Sequence, residues 1–192
     1  MKKTLFVIIL VTLFSTLGIH ADEYTNLWKQ ATEAQNKDLP QKEIAALKLI
    51  IDKAGAEQRY GQLLKAELLN VSVLTNLSPD SLQPAVNTLK TRLKSIGDHD
   101  EVAAAVYNCA LGVLYRDNHE LGENSDQVSC NYFKAAMAHP QALAAYKAPD
   151  LEPAIIKSVD SKLFDDDLLS VIGYETKDFA ALNKFYRVSG NR

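Results

Sequence analysis

The sequence runs to 192 residues, with 21 Lys and Arg against 24 Asp and Glu, a formal net charge of −3 and 47% hydrophobic residues. That length suffices for one domain with a real core or for a short helical array. The mild acidity weighs against nucleic acid, whose phosphates must be met by clustered cations, and no lysine run suits an anionic membrane surface.

Residues 1–21 read as a signal peptide. Lys2 and Lys3 precede the apolar run LFVIILVTLFSTLGI, and Ile19 and Ala21 occupy the −3 and −1 positions of a cleavage site before Asp22. The run is about 15 residues long, short of the roughly 20 that a spanning helix needs, and no later stretch is apolar for longer. The expectation is therefore an exported chain, in the periplasm, the cell envelope or outside the cell, with no transmembrane anchor after cleavage. Cleavage leaves 171 residues and, with Lys2 and Lys3 gone, a net charge of −5.

From Asp22 onward the apolar residues recur at helical spacing. Tyr24, Leu27, Trp28, Ala31 and Ala34 make one face of a first helix that NKDLP stops before Pro40. Pro40 opens a second helix, with Ile44, Leu47, Ile51 and Ala54 in its stripe and Gly55 as its expected end. A connection this short makes the two antiparallel. The third helix is expected over 59–74, with Tyr60, Leu63, Leu64, Leu68 and Val71 inward. SPDS (78–81) stops and restarts the chain, and a fourth helix runs to Gly97, with Pro84 in its first turn where the missing N–H costs little.

The fifth helix, over 101–116, is different in kind. Val102, Val106, Cys109 and Val113 form one stripe, Ala103, Tyr107, Ala110 and Leu114 the next, and Leu111 and Tyr115 cover much of the rest. A helix apolar on most sides must be covered on several, so it is an inner helix. Gly112 costs about 1 kcal/mol relative to Ala at such a place, which predicts a close helix crossing there. A polar loop is expected over 116–126, a sixth helix over 128–139 ending at His139-Pro140, a short helix in QALAAY and a turn in KAPDLEP. DDDLLSVIG and KDFAALNKFYRV supply two more helices near the end.

Hairpins beginning near residues 24, 58 and 100 suggest a repeat. Leu111-Gly112-x-x-Tyr115 fits the first-helix signature of a tetratricopeptide repeat and Phe133-x-x-Ala136 the second, although Asn108 stands where Trp is usual. The other two hairpins are degenerate, the first offering Trp28 without the Gly or Tyr. The expected fold is all-α, an α-solenoid of stacked antiparallel helical hairpins over 22–148 followed by a C-terminal helical segment over 149–192. The expected structural core includes Trp28, Tyr60, Leu111, Gly112, Tyr115, Phe133 and Ala136. Stacked hairpins leave a concave face suited to peptides or protein segments.

The residue types that carry catalysis do not assemble into a site in the sequence. Cys109 and Cys130 permit one disulfide closing a loop of about 20 residues, worth roughly 3 kcal/mol. Two buried free thiols are the alternative reading. A nucleophilic cysteine is disfavoured because no histidine is placed locally to activate it. His99, His119 and His139 lack metal-ligand spacing and read as surface histidines, and Asp165, Asp166 and Asp167 suit a helix start better than a calcium loop. Asn70-Val71-Ser72 and Asn76-Leu77-Ser78 match glycosylation sequons without meaning in a bacterial-type exported chain. The expectation is no catalytic, cofactor-binding or metal site, and no cofactor.

The order of motifs LWKQATEAQNKDLPQKEIAAL, YGQLLKAELL, SPDSL, YNCALGVLY, DSKLFDDDLLSVIGYE and KFYRVSGNR resembles the N-terminal helical region of large exported alpha-2-macroglobulin-like proteins of Gram-negative bacteria. The likeness covers essentially the whole chain after residue 21, and its most specific part is Asp160 to Glu175 with the Gly190-Asn191-Arg192 ending. The resemblance implies macroglobulin-type β-sandwich domains downstream and a family linked to protease trapping at the cell envelope. The trapping parts are missing here: Cys109 is followed by Ala-Leu-Gly and Cys130 by Asn-Tyr-Phe, neither of which is the C-x-E-Q thioester sequence. The chain thus reads as the front end of such a protein, truncated or split from its partner. Its expected partner is protein, either the downstream domains or an envelope protein, and the alternative is an independent periplasmic tetratricopeptide-like adaptor that binds a peptide.

Overall fold

Helix follows helix through the computed structural model, which describes residues 23–155 and 165–176. The order is α1 (23–36), α2 (Pro40–Ala56), α3 (Tyr60–Leu77), α4 (Leu82–Ile96), α5 (Glu101–Asp117), α6 (Ser125–Ala136), α7 (Pro140–Ala145) and α8 (168–176). Single 3-10 turns at Pro79–Ser81, Gly97–His99, His119–Leu121 and Ala148–Leu151 fill the connections. Among the described residues there is no strand, only an isolated antiparallel bridge between Lys147 and Asp167. The signal segment and KDFAALNKFYRV lie outside the described residues, as does much of the 149–192 segment.

The turn chemistry explains where the first helices end. Asp38 takes φ 52° and the N–H of Leu39 reaches back to the carbonyl of Ala34 at 2.9 Å, closing α1 before Pro40 starts α2. The α2–α3 turn repeats the device, with Gln58 at φ 54° and Arg59 N–H on the Ala54 carbonyl at 2.9 Å. Both are Schellman-type closures on a residue other than glycine. Gly55, expected to end α2, lies inside it instead, because Gln58 supplies the left-handed residue three positions later. Gly97 does take φ 54° just past α4, and Asp100 caps α5 by accepting from Ala103 N–H at 2.8 Å.

Two further boundaries differ from expectation. α3 continues to Leu77, past the expected stop at 74, since no breaker intervenes before Ser78-Pro79. α6 begins at Ser125 and ends at Ala136, three residues earlier at each end than its apolar stripe suggested. The polar connection is correspondingly shorter, from Asn118 to Asn124 between the two helices.

Two packed clusters share α3. One joins α1, α2 and α3 through residues such as Tyr24, Leu47, Ile50, Leu63 and Ala66. The other starts at Leu64 and Val71 on the opposite side of α3 and takes in Val86, Leu89, Tyr107, Leu111, Leu143, Leu168 and Ile172. The most extensive pairings are α5 with α6 and α2 with α3, whereas α4 divides its contacts between α3 and α5. The helices therefore pack against one another in chain order, with α4 held more lightly than its neighbours.

Along α5 only Glu101 and Asp117 are exposed, as befits an inner helix. Its closest neighbour is α6. A Cβ placed on Gly112 would lie 2.7 Å from Cδ1 and Cε1 of Phe133, so the ring occupies the space that only glycine leaves. Ser129 of α6 donates to the Gly112 carbonyl at 2.7 Å in the same contact. Fully burying a ring like that of Phe133 contributes roughly 1.5–3 kcal/mol. A second close approach was not foreseen. The backbone of Leu151 and Glu152 lies against Gly61 at the start of α3, where a Cβ would meet the Glu152 carbonyl oxygen at 2.6 Å.

Candidate interaction site

The short turn at 78–81 sets α3 and α4 side by side and antiparallel, and a trough of about 370 Å³ runs between them, opening to solvent. Its floor is made by Val71, Ala85 and Leu89, its rim by Thr88 and Pro84, and Ile51 of α2 reaches one edge. Helical periodicity puts Glu67, Asn70, Val71 and Leu74 of α3 along one wall, because they recur three and four residues apart.

Glu67 is the chemical centre of that wall. Its side chain is 4% exposed. One oxygen accepts from Arg92 Nε at 3.0 Å and the other from the Tyr107 hydroxyl at 2.6 Å. Burial pushes the Glu67 carboxyl above its ordinary range, while the Tyr107 hydrogen bond and the Arg92 charge pull the other way. The Tyr107 hydroxyl is itself driven well above the usual phenol value, first by burial and then by the Glu67 carboxylate. A carboxylate engaged on both oxygens and isolated from water is a poor general base, so the triad ties α3, α4 and α5 together rather than performing proton transfer.

Farther along the same wall, Asn70 Oδ1 is buried with no hydrogen-bond partner. Arg92 uses Nε on Glu67, and its Nη1 and Nη2 lie over α2, each 3.7 Å from where a Cβ on Gly55 would be. Asp80 and Ser81 close the other end of the trough. The trough thus has an apolar floor, with the Glu67–Arg92 pair at one end and Asp80 at the other.

The residues singled out from the sequence fall elsewhere. Leu111, Tyr115, Phe133 and Ala136 are 0%, 4%, 1% and 0% exposed, and Gly112 is buried between α5 and α6. Trp28 and Tyr60 are only half-buried, Trp28 because it lies at the edge of the first cluster, where its Nε1–H donates to Gln62 at 2.5 Å and Lys65 sits over its ring. Cys109 on α5 and Cys130 on α6 are free, half-buried thiols. Burial pushes Cys109 up to about 12, with Glu175 adding to the rise.

His119 rests near Ser125 and Asp126, and His139 lies 3.4 Å from Glu101, all of them in exposed ion-pair positions apart from Ser125. Asp167 accepts from Ser170 N–H at 2.9 Å and from its hydroxyl at 3.0 Å, capping the start of α8. Those bonds hold the Asp167 carboxyl below its ordinary value. Among the described residues no three His, Cys, Asp or Glu side chains are gathered as a metal site would need, and no helix is long and apolar enough to cross a membrane.

The wall of the trough escaped sequence reading. Asn70 enters the sequence reading only as part of a sequon, and Arg92 is not singled out there. The available signal was Glu67, a charge three and four residues from Leu64 and Val71 on an otherwise apolar stripe.

No protein-family model matches the chain, and no curated protein or solved structure does so either.

Proposed function

We propose that this chain is a non-catalytic, exported scaffold that holds protein, built as a tetratricopeptide-like stack of helical hairpins. Its place would be at the front of a macroglobulin-like envelope assembly, as its motif order suggests. The observation that carries the reading is the α3–α4 trough: a solvent-open channel on packed helices, with the Glu67–Arg92 pair at one end, Asp80 at the other and an apolar floor between them. Rigid helices present such groups in one geometry, so a partner meets them without ordering the site first. The Cys109 thiol, driven up to about 12, is overwhelmingly protonated at neutral pH and unsuited to nucleophilic attack.

The test is photo-crosslinking in the producing cell. A photoreactive amino acid replaces Thr88, on the exposed rim, in the full chain. The expected product is a discrete adduct in the envelope fraction with a β-sandwich-containing protein, together with a mature N-terminus at Asp22. An adduct with a protein of another kind moves the chain to the independent-adaptor class. Absence of any protein adduct, or retention of the chain in the cytoplasm with residues 1–21 attached, overturns the proposal.

A further inference from the structure

The outward face of α2 carries a pattern that the helix stack itself does not use. Lys42, Ala45, Leu49, Asp52 and Ala56 recur at alternating steps of three and four residues, and all five are exposed. That spacing sets them in one stripe along the helix, the seam geometry of two helices packed side by side. α3 lies against the other side of α2, where Leu47, Ile50 and Ala54 are buried. Ile51, which reaches the α3–α4 trough, is two residues from Leu49 and so on the far side of the helix.

Leu49 is 54% exposed, more than any other large apolar side chain among the described residues. It borders a second open trough, of about 400 Å³ between α1 and α2, with the buried Ala34 and Ala46 beneath and Leu39 at one end. These small residues leave room for an apolar side chain from outside. Along the stripe a cation, Lys42, stands before this apolar centre and an anion, Asp52, after it. Neither forms an ion pair among the described residues.

This order of residues is self-complementary. Turned end for end about the midpoint between Ala45 and Leu49, a second α2 sets its Leu49 on Ala45 and its Asp52 on Lys42. Its Ala56 then falls at the level of Leu39. Each of these contacts occurs twice, as a two-fold axis requires. A parallel pairing would instead oppose Lys42 to Lys42 and Asp52 to Asp52, which like charges disfavour.

We propose that the chain self-associates through α2 as a two-fold dimer of antiparallel helices, with Leu49 of each copy on Ala45 of the other and a Lys42–Asp52 ion pair at either end. One helix face falls short of the roughly 20–30 residues a side of a standard interface, so the dimer is weak, with an expected Kd of about 10–100 μM. The α3–α4 trough lies on the other side of α2, so both copies keep theirs open.

Sedimentation velocity of the full chain, purified from the producing cell and run from about 5 to 500 μM, tests the proposal. The expected result is a monomer that passes to a dimer and no further, since a two-fold contact closes on itself. Leu49→Glu, at an exposed position, is expected to weaken association at least tenfold while the urea midpoint of the dilute protein stays that of the parent. Lys42→Glu and Asp52→Lys are each expected to weaken it about three- to tenfold, because each turns two attractive contacts into repulsive ones. The double variant Lys42→Glu/Asp52→Lys is expected to return to within about twofold of the parent, a rescue that only the antiparallel register provides. A chain that stays monomeric throughout overturns the proposal. So does a dimer that Leu49→Glu leaves unchanged, which places the contact on another surface, or a double variant no tighter than the single ones. The crosslink from position 88 reads a different face, so the scaffold reading and the dimer fail separately.

Discussion

Tyr107 of α5 donates its hydroxyl hydrogen to Oε2 of Glu67 on α3 across 2.6 Å, in a part of the molecule closed to water. The same carboxylate takes Arg92 of α4 on its other oxygen, so one side chain fastens three helices. Because α4 is otherwise the lightly held member of the stack, this contact fixes the width of the trough. Tyr107→Phe is expected to lower stability by about 1–3 kcal/mol, the cost of leaving a buried carboxylate oxygen without its donor. Urea denaturation followed by circular dichroism measures it. A change within error would show that water reaches Glu67.

The protonation of Glu67 gives the fold a pH dependence of known sign. Burial raises its carboxyl above the ordinary range, so the folded chain holds that proton more tightly than the unfolded one. Its contribution is then complete below the unfolded value, near pH 4.3, and is lost as pH rises through the folded value. Asp167 works in the opposite sense: its carboxyl is lowered by the hydrogen bonds from Ser170, and its contribution is lost as pH falls. Glu67→Gln is expected to reduce the decline above pH 4.3, to which the buried and likewise raised Glu43 also contributes, and to leave the acid-side loss in place. Urea midpoints of the two proteins between pH 3 and pH 8 separate the contributions, and parallel curves would contradict the buried placement of Glu67.

How much of this was legible in the sequence follows from which interactions are local. The start of α2 at Pro40 was readable because proline geometry acts within one turn. The end of α2 was not, since its left-handed residue is Gln58 and nothing in that residue type announces a positive φ. The inner character of α5 was visible in its all-round apolar surface. Which helices pair most closely was not, because an apolar stripe specifies that it is covered and not by what. The trough depends on Glu67, Asn70 and Arg92 meeting across the α3–α4 interface, and each of them taken alone looks like a solvated side chain.

Gly112 and Phe133 form a coupled pair. Gly112→Ala places a methyl group 2.7 Å from two ring carbons, closer than carbon atoms tolerate, and the ring is 1% exposed with little room to retreat. A cost of about 1–3 kcal/mol is expected from the overpacking. Phe133→Leu alone is expected to destabilise through lost burial, but in the Gly112→Ala background it should cost less than in the parent. A double-mutant cycle by urea denaturation reads the coupling, and additive losses would mean that α5 and α6 do not meet at this point.

Gln58 offers the reverse case, a substitution that stabilises. Its φ of 54° puts an L side chain in the left-handed region, at a cost of roughly 1–2 kcal/mol, and the side chain is exposed. Gln58→Gly removes that strain while adding about 0.5–1 kcal/mol of backbone entropy to the unfolded chain. The net expectation is a gain of up to about 1 kcal/mol, seen as a higher thermal midpoint. Asp38, at φ 52°, should respond in the same direction. Loss of stability at both positions would show that their side chains hold the turns together.

The two thiols should react in a fixed order. Cys109 sits in the most enclosed helix, with its thiol pushed up to about 12 by burial and by Glu175, so almost none of it is thiolate at pH 8. Cys130, on α6, is also raised by burial and by Asp126, but it is packed less deeply. Iodoacetamide at pH 8 is expected to modify Cys130 first and Cys109 only on the timescale of unfolding, with both reacting at once in 8 M urea. Mass spectrometry of timed samples gives the order. Rapid labelling of native Cys109 ahead of Cys130 would reveal an activated thiol in α5 and return the inner helix to the list of places where chemistry could occur, whereas protection that disappears with Gly112→Ala would locate the barrier in the α5–α6 contact itself.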